Sequence, residues 1–198
     1  MWGMHSKIFK HFEVILANYA FRELVAGSVL EVGAVPTKDS LLHSAFLADA
    51  ARRIGVNLDG GCSMKGFAEP EDRPSFEILT ANANEMPFFR DGEFQVVLNN
   101  ATLEHDPYFW KSIAEMRRVL ALGGLMIVGV PGYVREVKAP NVPLATFTHR
   151  VHDWPGDYYR FSEQSCREVF FEGFEIFDQT VVLVGGTPKI ITSGLKRQ

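Results

Sequence analysis

The stretch VLEVGAVPTKDSLL, residues 29–42, decides how this chain is read. Val29, Leu30 and Val32 form a short apolar strand, Glu31 places a carboxylate near its end, and Gly33 opens a turn. A strand that runs through a glycine toward a helix is how a nucleotide-binding α/β domain begins. Such turns usually hold several glycines, which let backbone amides approach a pyrophosphate. Here Val35, Pro36 and Thr37 stand in their place, so the turn is poorly suited to a dinucleotide. Thr37, Asp39 and Ser40 are candidate caps for a helix behind it.

Outward from this stretch, strand and helix patterns alternate. Helical spacing runs over 5–25, with Ile8, Phe12, Ile15, Leu16 and Tyr19 as its stripe. A second helix is expected over 40–54 and a third from Pro107 to Leu120, stopped by Gly123 and Gly124. Apolar runs at 54–58, 76–81, 94–100 and 125–130 read as strands, with a Gly- and Pro-rich loop over 59–74. Residues 131–157 carry prolines and no clear period; a loop of that length in a compact domain is usually functional. Ser162 should cap a helix to Phe171, and FEIFDQ and KIITSG should be the last strands.

The strands are continuously apolar, which fits a mostly parallel sheet covered on both faces. The fold class expected is therefore α/β and doubly wound. Ligands of such sheets sit beyond the carboxyl ends of the strands, at the point where the strand order reverses. That rule selects the residues after each of the first four strands.

The whole chain of 198 residues reads as one domain: a helix over 5–25, a sheet core over 28–130, a substrate loop over 131–161, and a helix and strands over 162–194. With 46% hydrophobic and 22% charged residues, a net charge of −4 and no basic run, neither nucleic acid nor a membrane is an expected partner. Cys62 and Cys166 lie far apart, and no leader is evident, so a reducing, cytoplasmic setting is expected. A homodimer is left open.

Three stretches in order resemble the class I S-adenosylmethionine-dependent methyltransferases: VLEVGA at 29–34, NANEMPFFRDGEFQVVLNNATLEH at 82–105, and AEMRRVLALGGLMIVGVPG at 114–132. HDWPGDYYRFSEQS at 152–165 resembles a segment common among small-molecule members. The resemblance covers roughly residues 28–178. It implies a Rossmann-like sheet of seven strands with the last antiparallel, S-adenosylmethionine as cofactor, and methyl transfer to a small-molecule acceptor through an O or N nucleophile. S-adenosylmethionine has no phosphate, so one glycine suffices.

The resemblance also assigns positions. Glu31 and Gly33 would lie at the methionine end, with Asn99 and Asn100 beside them. Asn57, Leu58 and Asp59 would meet the ribose side, and Asn82 and Ala83 the adenine. Members usually carry an acid where Asn57 and Asn82 stand; an amide keeps the hydrogen-bonding capability without the charge. Glu31 reads equally as a strand carboxylate paired within the core. His105 reads equally as a group reaching the active site or as one fixing a loop.

The densest chemistry is the stretch 149–160. His152 is the expected proton acceptor, with Asp153 or Asp157 able to orient its ring and His105 as the other candidate. Tyr158, Tyr159 and Arg160 would form the substrate wall. No helix places His149 and His152 on one face, so no metal is expected. Two readings compete with catalysis: a cofactor-binding or partner subunit without turnover, and a nicotinamide oxidoreductase, which the glycine-poor turn disfavours.

Overall fold

The computed structural model describes residues 4–59, 76–133, 156–184 and 187–198. Its frame is a seven-stranded sheet in the order β3-β2-β1-β4-β5-β7-β6. In chain order the strands are β1 (Ser28–Val32), β2 (Arg52–Asn57), β3 (Glu77–Thr80), β4 (Phe94–Asn100), β5 (Leu120–Pro131), β6 (Phe174–Val184) and β7 (Thr187–Lys196). Pairings among β1 to β5 are parallel, and β7 is antiparallel to both β5 and β6. The expected sheet, mostly parallel with one antiparallel last strand, is the one observed. The order reverses between β1 and β4, so their carboxyl ends form the crevice.

Alternation along each strand feeds two cores. Leu30, Val32, Val97, Met126 and Val128 face the side covered by α3 (Phe109–Val119) and by the segment 161–171. Val29, Val96, Leu98, Leu125 and Ile127 face the side covered by α1 (Ser6–Leu16), whose Ile8, Phe12, Ile15 and Leu16 are buried. β4 is buried on both faces from Val96 to Asn99, which is why it reads as an unbroken apolar run.

Three expected helices differ in extent. The first stops at Leu16, because Asn18 accepts from the Ala20 amide and starts a 3₁₀ turn, Tyr19–Phe21; the short α2 (Arg22–Val25) follows. The helix expected over 40–54 is absent. Two 3₁₀ turns, Leu41–His43 and Ala45–Leu47, stand there, each capped by a serine: Ser40 accepts from Leu42 and Ser44 from Phe46. Serine hydroxyls compete with helical backbone bonds, so two caps four residues apart break the segment. The third helix ends at Val119, and Gly123 lies beyond it. Its φ is +77°, as expected of a glycine stop, but it serves the bulge where β5 shifts register against β4. At the other end, Ser162 caps α4 (Glu163–Ser165), which continues as a π-turn over Cys166–Phe170.

Candidate functional site

The crevice is built from the ends of β1, β2, β3 and β4. Gly33 follows β1 with φ +85°, donates to the Val56 carbonyl (2.8 Å), and lies so close to Thr102 that a Cβ would overlap its hydroxyl. Glycine is thus required twice, by conformation and by contact.

Glu31 points away from the crevice. It is 3% exposed and takes three donors from its own chain: the Ser40 hydroxyl (2.5 Å) and the Leu41 and Leu42 amides (3.1 and 3.2 Å). Burial raises its pKa from 4.5 to about 7, outweighing those three hydrogen bonds, which lower it. Of its two expected roles, the core pairing is what the geometry displays.

Asn57, at the end of β2, also bonds locally. Its amide donates to the Ala34 carbonyl (2.9 Å) and its oxygen accepts from the Leu58 amide (2.8 Å), which ties the turn after β1 to the end of β2. Leu58 is 65% exposed beside it, and Asp59 is half-buried. After β3, the Asn82 side chain accepts from the Asn84 amide (2.9 Å) while remaining exposed, and Ala83 packs on the core.

The most telling atoms are on β4. Asn99 is fully buried and donates to the Val32 carbonyl (2.9 Å), which fixes its oxygen away from β1's backbone. Among the described residues, that oxygen and the side-chain oxygen of Asn100 are buried without a hydrogen-bond partner. A buried acceptor left unmade costs about 1–3 kcal/mol, so two together call for a donor. Just beyond them, Ala101 holds a φ of +52°, among the described residues the one left-handed residue that is not glycine. Such strain concentrates at functional sites. Sequence reasoning missed Ala101 and Thr102; neither residue type carries a signal by itself.

A second group borders the crevice. The 3₁₀ turn Leu103–His105 holds the described end of the substrate loop, since the Glu104 carbonyl accepts from the Tyr158 and Tyr159 amides (2.8 and 3.3 Å). His105 bonds the Gly156 carbonyl through Nδ1. A carbonyl only accepts, so Nδ1 carries the proton and Nε2 is the lone-pair nitrogen of the neutral ring. Asp157 and Arg160 form a two-pronged buried ion pair, their side chains 2% and 9% exposed. Asp157's hydrogen bonding holds the Arg160 guanidinium more firmly protonated than usual. Tyr159 donates its hydroxyl to the Pro107 carbonyl (3.0 Å) while Tyr158 is exposed. Glu104 is wholly buried; Lys189 of β7 reaches one of its oxygens (3.2 Å), and among the described residues the other has no hydrogen-bond partner.

His152, the expected base, lies outside the described residues, as do His149 and Asp153. Among the described residues no three His, Cys, Asp or Glu side chains are placed to hold a metal, and no helix is long and apolar enough to cross a membrane.

A family model described as a methyltransferase domain matches residues 40–128. The solved structures similar to this chain repeat the pattern. The 1,6-didemethyltoxoflavin-N1-methyltransferase of Burkholderia thailandensis, with 1,6-didemethyltoxoflavin and S-adenosylhomocysteine bound, is 17% identical, covers 96% of this chain and 83% of its own, and has a TM-score of 0.60. The fold is that of the class I S-adenosylmethionine-dependent methyltransferases. The N-methyltransferase NodS of Bradyrhizobium japonicum WM9, in complex with S-adenosylhomocysteine, shares this methyltransferase fold at 12% identity, 96% and 87% coverage and a TM-score of 0.57. So does the magnesium protoporphyrin IX methyltransferase of Synechocystis PCC 6803, with S-adenosylmethionine bound, at 13%, 96% and 78%, and 0.56. No curated protein matches the chain in sequence. In this frame Gly33, Leu58 and Asn100 stand at or just beyond the carboxyl ends of β1, β2 and β4, while Glu31 bonds within the chain.

Proposed function

We propose that the protein transfers a methyl group from S-adenosylmethionine to the O or N nucleophile of a small molecule. The observation that carries this reading is the methyltransferase fold with its switch-point crevice at the carboxyl ends of β1 and β4. Asn99 and Asn100 end β4 on opposite faces of the sheet, and Asn100, the last residue of the strand, is the one that would meet the ammonium of an amino-acid-bearing ligand. Gly33 would meet its methionine end, Asn57, Leu58 and Asp59 its ribose side, and Asn82 and Ala83 its adenine.

The cofactor supplies an activated methyl, so the chain's own residues need only bind, align and exclude water. Tyr158 and Tyr159 would wall the acceptor, and the Asp157–Arg160 pair fixes that wall from beneath. His152 is the first candidate for taking a proton from a hydroxyl, and His105, whose ring bonds the Gly156 carbonyl, is the second. Buried Cys166, its thiol pushed up to about 12, fits an inert cysteine in a reducing cytoplasm.

Calorimetric titration with S-adenosylmethionine, S-adenosylhomocysteine and NADH tests the reading. Binding of the first two and not the third is expected; NADH binding alone would overturn it. Glu31 and Asn57 both bond within the chain, which favours a second reading, a cofactor-binding subunit without turnover. Binding without S-adenosylhomocysteine formation across acceptors would select it.

A further inference from the structure

Glu104 stands in the turn Leu103–His105, just past the carboxyl end of β4, on the side of the sheet where ligands of such folds bind. Its side chain is wholly buried. Lys189 donates to one carboxylate oxygen (3.2 Å), and among the described residues the other oxygen has no hydrogen-bond partner. A buried carboxylate bonded on one side only costs more than a neutral acceptor would, because the desolvation of its charge is not repaid. Arg160 does not repay it. That guanidinium is close enough to feel the charge of Glu104, yet it gives its hydrogen bonds to Asp157 and to the Tyr159 carbonyl. An acceptor is thus held ready at the crevice with its donor still to come.

Two features select the donor. The charges about the carboxylate already cancel, Lys189 against Glu104 and Arg160 against Asp157. A cation brought there would be a buried charge in excess, so the donor is neutral. The side chains tied to this turn are rings. The Glu104 carbonyl accepts from the amides of Tyr158 and Tyr159. Tyr159 packs against Phe109 and Phe161, with ring centroids 4.9 and 6.0 Å apart, and exposed Tyr158 lies 6.2 Å from Tyr159. Such a wall receives another ring, offset or edge-on. Given the methyltransferase reading, on which this rests, we propose that Glu104 recognises the methyl acceptor by accepting a hydrogen bond from a neutral hydroxyl carried on an aromatic ring. Its part is binding and orientation, not proton transfer.

Calorimetry on the protein saturated with S-adenosylhomocysteine tests this, with phenol and toluene as probes. The two differ by a hydroxyl against a methyl group of similar size. Phenol should bind about 10-fold or more tighter, the worth of a hydrogen bond to a charged group, although toluene is the more apolar. Benzylamine, a cation at neutral pH, should bind more weakly than phenol. In Glu104→Gln the amide oxygen can keep the Lys189 bond and turn its NH2 to the unbonded side. Phenol's advantage should then vanish, with S-adenosylhomocysteine affinity as in the wild type. Wild-type protein that binds phenol no better than toluene, or binds neither, overturns the proposal, and that comparison needs no variant. So does tighter binding of benzylamine, or a phenol preference that survives Glu104→Gln. Failure to bind S-adenosylhomocysteine would overturn the methyltransferase reading with it.

Discussion

Replacing Glu31 by glutamine should remove a destabilisation that grows as the pH rises. Glu31 is fully buried, has three donors and no cation, and its pKa is raised from 4.5 to about 7, with burial the dominant cause. A raised carboxyl binds its proton more tightly in the folded than in the unfolded chain. Its penalty is therefore absent below pH 4.5, grows between 4.5 and about 7, and is complete above. At 1.36 kcal/mol for each tenfold change, the full penalty is about 3 kcal/mol. Glutamine keeps the shape but not every bond: Leu41 donates to one carboxyl oxygen and Leu42 and Ser40 to the other, so one amide faces the glutamine NH2, at a cost that does not vary with pH. Thermal unfolding of both proteins, followed by circular dichroism across pH 4.5–8, reads the effect. Every other titration cancels in the difference, which should widen by roughly 6–12 °C toward high pH for a chain of this size. Curves that stay parallel across that range would refute the placement of Glu31 in the core.

The remaining expectations concern the crevice and its supports. Asn100→Ala should weaken S-adenosylmethionine binding by about 10–100-fold in calorimetry, the worth of a hydrogen bond to a charged group; unchanged affinity would remove Asn100 from the ammonium site. Gly33→Ala should lower stability by more than about 1 kcal/mol in urea unfolding, through both its φ and its contact with Thr102; adding Thr102→Ala should recover only the contact's share, and full recovery would show that the φ costs nothing. Lys189→Met should destabilise by roughly 3–5 kcal/mol, since it strands the buried Glu104 carboxylate. The double change with Glu104→Gln should restore most of that, and an unaltered Lys189→Met midpoint would mean the pair adds nothing.

The sheet was legible because its central strands carry short continuous apolar runs, Val29–Leu30, Val96–Leu98 and Leu125–Val128, and β4 was read with its observed bounds, Phe94–Asn100. The segment after β1 was not. Leu41, Leu42, Ala45, Phe46 and Ala50 do have helical spacing, but Ser40 and Ser44 hold the backbone in 3₁₀ turns through side-chain bonds that periodicity does not register. Within the site, Gly33, Asn99 and Asn100 could be found because they close apolar strands at the switch point. Lys189 could not: it meets Glu104 across 85 positions of chain, and only the antiparallel return of β7 brings it there. Glu31's direction was equally hidden, because a carboxylate on a strand does not declare which face it takes.

That direction bears on which ligand the turn can serve. A dinucleotide's pyrophosphate is held by free amides at the start of the helix after β1, aided by the helix dipole. Here no such helix exists, and the Leu41 and Leu42 amides, first in the 3₁₀ turn that replaces it, already donate to Glu31. Of the residues in the turn, only Gly33 has positive φ; Val35, Pro36 and Thr37 do not, and Thr37 steadies the turn by accepting from the Asp39 amide. The missing glycines are therefore not a defect in a phosphate cradle. The turn holds no cradle, and a negatively charged group brought to Leu41 and Leu42 would meet a buried carboxylate instead of open donors. A ligand that brings no phosphate makes no demand on the amides that Glu31 occupies, which is why one glycine is enough for it.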